Sequence, residues 1–316
     1  MPRYARQELV IGKGRQELLR QKTVAIVGLG ALGSVAAELL SRSGIGTLIL
    51  LDRDTVEESN LQRQLLYTES DLGRSKAIAA VERLKVINSA IGLQAHPLHL
   101  SANNIELLKH ADLVLDCTDN LTTRFLINDY CKKNKKIWIY AAAIKTAGYV
   151  MPIFSEGPCL RCFLQPASLE TCDTVGVLNT VTTTIAALQV QIAIEILIGE
   201  EILPKLYHFD LANKTFETMT VKKNPSCPAC QGKYLSLQLQ EDVKVVQFCS
   251  TGRYQVTGHK IDLKRLKQRW EKVGKVIDDD QTLSFKNIFL FADGRALIKA
   301  KSEEEALSLY SRWVEN

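Results

Sequence analysis

Three glycines, Gly28, Gly30 and Gly33, follow an apolar run and open a helical pattern with the spacing G-x-G-x-x-G. This spacing suits nucleotide phosphates. The first glycine allows a tight turn, the second lets backbone N–H groups approach phosphate oxygens, and the third lets the helix lie close to the strand. Asp52 ends the next apolar run, about 24 positions after Gly28, where a carboxylate would meet a ribose hydroxyl. These residues predict a nucleotide site, although the same spacing is typical of dehydrogenases.

Charged side chains further along favour a different chemistry. Arg63 lies in the stretch NLQRQ (60–64), Lys76 ends GRSK (73–76), and DCTDN (116–120) closes an apolar strand. Two cations on a polyphosphate, beside a carboxylate that can hold a divalent ion, suit attack on the α-phosphate of ATP, whereas hydride transfer needs none of them. The alternative for the cations is a charged helix face. Both Asp116 and Asp119 are candidates for the carboxylate.

Together these motifs resemble those of the ThiF/MoeB/HesA family, bacterial and archaeal relatives of the ubiquitin-activating enzymes, over roughly residues 1 to 231. The resemblance implies that ATP and Mg²⁺ are bound, with Asp52 on the ribose and Asp119 on the magnesium. It also implies the remaining nucleotide contacts, which are Gly28, Gly30, Gly33, Asn60, Arg63, Gln64, Lys76 and Asn120.

Arg6 matches a family arginine that reaches into the ATP site of a partner subunit, which implies a homodimer. Taken without the resemblance, Arg6 is a solvated charge near the chain terminus.

The cysteines provide a second signal. Two C-x-x-C pairs, Cys159 with Cys162 and Cys227 with Cys230, suit a closed tetrahedral zinc site of the structural kind. The alternative is two unrelated pairs, one of them redox-active, but a redox C-x-x-C normally opens a helix after a strand. Zn²⁺ bound by these four residues is therefore predicted, and the resembled family has the same two motifs.

Cys172 stands apart from these pairs, in the pattern C-x-x-x-G-V. In sulfur-transferring members of the resembled family, a cysteine at this place accepts the activated protein as a thioester. A position before a helix N-terminus would favour the thiolate. The alternative is a passive loop cysteine in an enzyme that stops at the adenylate. Cys117, Cys131 and Cys249 are interpreted as small apolar core residues.

Predicted strands and helices alternate along the part of the chain that carries these residues. This alternation predicts an α/β fold with a doubly wound, mostly parallel sheet. The predicted strands are 23–28, 47–52, 91–96, 112–116 and 136–140, and the predicted helices are 31–43, 75–87 and 120–133. Apolar pieces at 148–154, 205–210 and 215–221 would extend or cover the sheet as antiparallel strands.

A chain of 316 residues suggests two domains. We predict an adenylation domain with the zinc site over 1–233 and a small α+β module of unknown role over 234–316. In the module, strands are predicted at 243–248 and 254–256, a basic helix at 262–273, a hairpin of 288–291 and 296–298 around Asp293-Gly294, and a last helix at 303–313.

Composition narrows the function classes. The first residues lack an apolar stretch of the secretory kind, and the longest apolar run, 181–198, carries Gln189, Gln191 and Glu195, which favours a buried helix over a membrane span. A net charge of +5 is mild and shows no clustering typical of nucleic-acid binding. We therefore expect a cytoplasmic enzyme without a membrane or nucleic-acid partner.

The functional hypothesis is ATP-dependent adenylation of the C-terminal Gly-Gly carboxylate of a small ubiquitin-like protein of the ThiS/MoaD type. Whether Cys172 then accepts the activated protein as a thioester is left open. Two alternatives remain open. One is adenylation of a non-protein or peptide carboxylate on the same fold, and the other is a NAD-binding oxidoreductase or dinucleotide sensor.

Overall fold

The computed structural model describes residues 2–164, 175–238, 245–248, 253–258, 261–279 and 282–315. The chain divides into two compact units. The first comprises Met1–Asp71 and Lys76–Gln240, and the second comprises Leu72–Ser75 and Glu241–Asn316.

A single mixed sheet organises the first unit. Eight strands of its described part pair in the order β3-β2-β1-β4-β5-β6-β7-β8. The five strands from β3 to β5 in this order run parallel, and β6, β7 and β8 continue the sheet in antiparallel pairing. The strands are β1 (Thr23–Val27), β2 (Thr47–Leu51), β3 (Gly92–His96), β4 (Leu113–Asp116), β5 (Ile137–Ile144), β6 (Ala147–Ile153), β7 (Lys205–Asp210) and β8 (Thr215–Thr220). The doubly wound sheet with an antiparallel extension is thus confirmed.

Helices cover both faces of this sheet, as parallel strands require. They are α1 (Ala5–Ile11), α2 (Lys13–Arg20), α3 (Ala31–Ser43), α4 (Lys76–Ile87), α5 (Leu121–Lys133), α6 (Leu160–Phe163) and α7 (Asn179–Leu197). Short 3₁₀ turns lie at Glu58–Asn60, Glu69–Asp71, Ile105–Leu108, Ala229–Gln231 and Leu235–Gln238. The sequence analysis assigned no structure to α1 and α2, which are too short to show a clear helical period.

Two apolar cores result, one on each face of the sheet. The first holds the inner sides of α3, α4 and α7 with alternate side chains of β1 and β2, and the second holds α5 with the opposite side chains of those strands. Among the described residues α7 is the one helix long and apolar enough to cross a membrane by length and composition. Half of its apolar window is buried, and it packs on α3, β5 and β6 as a core helix.

The second unit contains a six-stranded antiparallel sheet in its described part, in the order β11-β12-β13-β14-β10-β9. Its core is aromatic, with Trp270 stacked on Phe285 at a centroid distance of 5.0 Å. The predicted hairpin around Asp293-Gly294 is confirmed as β13 and β14. The elements are β9 (Val245–Phe248), β10 (Arg253–Val256), α8 (Leu263–Glu271), β11 (Val276–Asp278), β12 (Thr282–Phe285), β13 (Ile288–Phe291), β14 (Ala296–Lys299) and α9 (Glu303–Tyr310), with a π-helical turn at Ser311–Glu315.

Two features of this unit differ from the sequence-based expectation. Strands β11 and β12 were not predicted, because the charged residues between them mask the short apolar runs. The last helix ends at Tyr310 rather than at 313, where the π-helical turn replaces regular helical hydrogen bonding.

Candidate active site and candidate metal centre

The glycine loop joins β1 to α3, and its geometry explains two of the three glycines. Gly28 has φ +88°, and a Cβ added there would lie 2.7 Å from the carbonyl oxygen of Cys117. A Cβ on Gly33 would lie 1.9 Å from the carbonyl oxygen of Gly28. The loop, the helix and the end of β4 therefore pack too closely for any side chain at either position.

Gly30 is different, because a Cβ there would lie 3.7 Å from Gln64 Nε2, which is an ordinary van der Waals contact. Packing of the described protein atoms therefore does not require glycine at this position. Gly30 is also the N-cap of α3, and no described side chain caps this helix. An uncapped helix N-terminus with open space in front of it is suited to an anion.

Gln64 faces the same loop. Its side chain is 4% exposed, and its Oε1 atom is buried without a hydrogen-bond partner among the described residues. An unsatisfied buried amide oxygen is costly unless a ligand or water completes it. The predicted nucleotide contact at Gln64 would give this oxygen a partner, and it stays a prediction.

Asp52 lies at the end of β2 and holds the glycine loop. Its Oδ2 atom accepts a hydrogen bond from the backbone N–H of Leu29 at 2.6 Å, and Oδ1 accepts one from the N–H of Asp54 at 2.7 Å. Burial raises the pKa of Asp52, while the nearby Lys76 cation lowers it. The carboxylate thus lies beside the loop where the ribose contact is predicted.

Lys76 begins α4 and is 6% exposed. Its Nζ atom lies 3.7 Å from Asp54 Oδ2, and its backbone N–H donates to the carbonyl oxygen of Asp54 at 3.0 Å. The Tyr67 hydroxyl lies 3.0 Å from the carbonyl oxygen of Leu29 and 3.3 Å from that of Lys76. Asp54 and Tyr67, which the sequence analysis did not single out, therefore tie Lys76 to the glycine loop.

Asn60 and Arg63 share a short turn with Gln64. Asn60 is buried, and its Oδ1 atom accepts a hydrogen bond from the N–H of Glu57 at 3.2 Å. The guanidinium of Arg63 is partly exposed and donates to the carbonyl oxygen of Ser59 at 2.8 Å. Their phosphate contacts stay predictions. Arg6 lies exposed on α1.

The loop after β4 separates the two candidate carboxylates. Asp116 is fully buried, and its Oδ1 atom accepts hydrogen bonds from the Thr118 backbone at 3.0 Å and hydroxyl at 2.7 Å. Asp119 is exposed, and the Asn120 amide approaches its Oδ1 atom at 3.5 Å. Asn120 also caps α5, since its side chain accepts from the N–H of Thr123 at 2.9 Å. Asp119, not Asp116, is therefore the carboxylate accessible to a metal ion.

Cys117 lies in this loop but is a poor nucleophile. It is 7% exposed, and its thiol donates to Gln189 Oε1 at 3.3 Å. Burial and the neighbouring Asp116 raise the pKa of Cys117 well above its ordinary value. Cys117 and the buried Cys131 are thus core residues, as predicted, whereas Cys172 and Cys249 lie outside the described residues.

The four predicted zinc ligands converge. The Sγ atom of Cys159 lies 3.5 Å from that of Cys227, 3.9 Å from that of Cys162 and 3.7 Å from that of Cys230. Tetrahedral zinc with Zn–S bonds of about 2.3 Å places its sulfurs about 3.8 Å apart. Burial raises the pKa of Cys230 to about 11, so a bound cation would be needed to hold the whole set as thiolates at neutral pH. The donor set and its spacing therefore fit zinc.

An arginine inside the first C-x-x-C forms an ion pair that links this cluster to α5. The Arg161 guanidinium donates to both carboxylate oxygens of Asp129, at 2.9 and 3.0 Å, and lies over the ring of Phe125. Ser236 completes the arrangement, because its N–H donates to Asp129 at 2.9 Å and its hydroxyl accepts from Arg161 at 2.7 Å. No sequence motif marks these partners.

Several known proteins are similar to this chain in sequence or in structure. The model of the ThiF family matches residues 4–229. Over 332 aligned residues the chain is 35% identical to the sulfur carrier protein ThiS adenylyltransferase of Bacillus subtilis, with 99% of each chain covered. It is 32% identical to the SAMP-activating enzyme E1 of Haloferax volcanii, over 79% of this chain and 95% of that one. The crystal structure of E. coli MccB with ATP shares the fold, with a TM-score of 0.64 and 23% identity over 72% of this chain and 73% of that one.

Proposed function

Since this chain belongs to the ThiF family, we propose that it adenylates the C-terminal Gly-Gly carboxylate of a small ubiquitin-like sulfur carrier protein, using ATP. The observation that carries the proposal is the uncapped first turn of α3, with Gly30 in open space and the unsatisfied Gln64 oxygen beside it. Relatives named as adenylyltransferases of sulfur carriers support the choice of substrate.

The reaction needs positioning and charge rather than a general base. A C-terminal carboxylate has a pKa of about 3.5 and is already ionised at neutral pH. One of its oxygens attacks the α-phosphorus of ATP, and pyrophosphate departs with the electrons of the broken P–O bond. The products are an acyl adenylate and pyrophosphate.

Different residues of this chain would contact different parts of the nucleotide. In this proposal Asp52 binds the ribose, while Asn60, Gln64 and Asn120 line the nucleotide. Arg63 and Lys76 contact the phosphates, and Lys76 exchanges its present partner Asp54 for a phosphate oxygen when ATP binds. Asp119 is the residue proposed to hold Mg²⁺, whose charge would offset that of the departing pyrophosphate.

A second copy of the chain completes the site in this proposal. Arg6 of one subunit would reach the ATP of the other, and α1 offers a surface for the contact because Leu9 and Val10 are both 84% exposed. Exposed adjacent apolar side chains next to a cation suit a homodimer interface. Dependence on ATP and on zinc-bound thiolates fits a cytoplasmic location.

Cys172 would act after adenylation. Its thiolate would attack the acyl carbon of the adenylate, AMP would leave, and a thioester would join the carrier to the enzyme. Cys159, Cys162, Cys227 and Cys230 would hold zinc, which would stabilise the fold around α5.

The test is ATP–pyrophosphate exchange with each small Gly-Gly-ending protein of the source organism. Exchange that appears with one carrier and disappears when its last glycine is removed supports the proposal. Exchange without any carrier would indicate a non-protein or peptide carboxylate instead. Stabilisation by NAD but not by ATP in a thermal-shift measurement would indicate an oxidoreductase.

A further inference from the structure

Asp119 lies in the loop between β4 and α5, and this loop sets its position. Its side chain is exposed, and the neighbouring Asn120 amide lies at the long distance of 3.5 Å. A carboxylate on such a loop binds a cation well only if the backbone beneath it is held in place. The contacts that hold this backbone therefore decide how well Asp119 can work.

Arg124 makes the most direct of these contacts. Its side chain is 10% exposed and extends from the first turn of α5 towards the loop. Nη2 donates to the carbonyl oxygen of Thr118 at 2.5 Å and to that of Ala141, on β5, at 3.2 Å. The Thr118 carbonyl and the Asp119 N–H belong to one planar peptide group, so this hydrogen bond orients the peptide from which the Asp119 side chain begins.

The remaining contacts hold Arg124 itself and the start of the loop. Nε of Arg124 lies 3.3 Å from the buried Asp116 Oδ2 atom, and the guanidinium lies 5.1 Å from the ring centroid of Tyr140. From the other face of the sheet, Gln189 donates to the carbonyl oxygens of Asp116 and Ile139, both at 3.0 Å. The Arg124 guanidinium is thus held by the Asp116 carboxylate, by the Tyr140 ring and by two backbone carbonyl groups.

The geometry points to Arg124 as a positioning residue for the cation site at Asp119, acting through the Thr118–Asp119 peptide. The inference rests on the proposed function, because it takes ATP and Mg²⁺ as the ligands. Arg124 does not touch the nucleotide in this account. Its loss should therefore weaken the response to Mg²⁺ and leave metal-free binding of ATP unchanged.

The test compares arginine-to-lysine variants by calorimetric ATP binding at increasing Mg²⁺, with metal-free ATP as reference. Arg124→Lys keeps a cation beside Asp116, but one ammonium cannot replace the planar fork that joins Thr118, Ala141 and Asp116. We expect the Mg²⁺ concentration for half-maximal effect to rise roughly tenfold or more. Asp119→Asn should abolish the Mg²⁺ effect, because it removes the carboxylate proposed to bind the ion.

Arg161→Lys is the matched control. The Arg161 side chain is 12% exposed and pairs with the buried Asp129. Asp129 lies on α5, as Arg124 does, but beside the cysteine cluster. This variant should lose thermal stability and keep the wild-type Mg²⁺ response. If Arg124→Lys does not fold, the double variant Asp116→Asn/Arg124→Gln removes both buried charges together and should show the same Mg²⁺ shift.

Two results would overturn the inference. One is a folded Arg124→Lys protein with the wild-type Mg²⁺ response, and the other is an equal shift in Arg161→Lys, which would mean general destabilisation. The readout needs no carrier protein. Mg²⁺-dependent ATP binding without exchange on any carrier would therefore contradict the proposed function while the Arg124 comparison stays decisive.

Discussion

At the residue scale, the candidate site is organised around a buried lysine. Lys76 is 6% exposed, and burying a cation is costly unless an opposite charge lies close by. Asp54 supplies that charge at 3.7 Å, and Asp52 adds to it across the same site. In the proposed function this buried ion pair would hold a cation in place before ATP binds, which is the preorganisation that transfer to the α-phosphorus requires.

Removal of the predicted phosphate contacts should reduce exchange and spare the fold. In Lys76→Ala or Arg63→Ala, one lost contact to phosphates that change charge during transfer should cost about 2 to 4 kcal/mol, which lowers exchange by orders of magnitude. Lys85→Ala, an exposed lysine on the last turn of α4, serves as the control and should retain wild-type exchange. Wild-type rates in Lys76→Ala and Arg63→Ala would remove both residues from the site.

Cys172 should separate activation from transfer. The Cys172→Ala variant should keep ATP–pyrophosphate exchange, because adenylation uses none of its atoms, and should lose a thiol-sensitive adduct with the carrier. Intact-protein mass spectrometry reports the adduct directly. An adduct that persists in this variant would require another cysteine, and Cys117 is a poor candidate because its thiol is buried and held by Gln189. If the wild-type protein forms no adduct, the enzyme stops at the adenylate.

At the element scale, α5 connects the two candidate sites. Its N-terminal turn carries Asn120 and Arg124, and its middle carries Asn128 and Asp129. Asn128 accepts a hydrogen bond from the N–H of Leu160, inside the first C-x-x-C, at 2.8 Å. The cysteine cluster is therefore joined by buried polar contacts to the helix that begins beside Asp119.

The protein should contain one zinc ion per chain, bound by the four clustered cysteines. Cys227→Ser should lose the metal and much of the thermal stability together, because an incomplete thiolate shell binds zinc poorly and metal binding is coupled to folding. Elemental analysis and a melting curve measure both effects. Cys131→Ser, a buried cysteine outside the cluster, controls for the loss of a core thiol and should keep its zinc. A metal-free wild-type protein would reject the prediction.

At the scale of the whole molecule, the proposed site includes an arginine from a second copy of the chain. Arg6 is exposed on α1, beside the apolar side chains of Leu9 and Val10. The second unit, with its own aromatic core and antiparallel sheet, contributes no predicted site residue. Similarity to the Bacillus subtilis relative nevertheless extends over 99% of both chains, so this unit is part of the shared architecture.

Arg6 should act in the partner's site if the homodimer forms as proposed. Arg6→Ala and Lys76→Ala should each be inactive alone, whereas mixed dimers contain one site with an intact Lys76 and an intact partner Arg6. Random exchange of subunits makes half of the dimers mixed, so activity should recover to about a quarter of the wild-type value. Co-expression with two different tags, followed by tandem purification, isolates the mixed species, which has one intact site of two and should show about half of the wild-type activity. An Arg6→Ala variant with full activity, or mixed dimers without activity, would contradict this arrangement.

Local patterns in the sequence were enough for much of the fold and part of the site. The glycine spacing, the two C-x-x-C pairs and the alternation of strands and helices each depend on residues that are close in the chain. Helix 31–43 was predicted with the bounds that the structure has, and 205–210 and 215–221 were predicted as antiparallel additions to the sheet. Short helices such as α1 and α2 gave too few turns for a period to show.

What the sequence determined by itself is the presence of the glycine loop and of two cysteine pairs suited to a metal, since steric fit at Gly28 and Gly33 and ligand chemistry at the C-x-x-C pairs act over a few residues. The tertiary structure alone showed that Asp116 is buried and Asp119 exposed, because burial depends on what packs above the loop. It also revealed Gln189, 73 positions from Asp116, and Arg161, 32 positions from Asp129. These polar contacts become strong when the folded chain excludes water from both partners, and no local pattern encodes that exclusion.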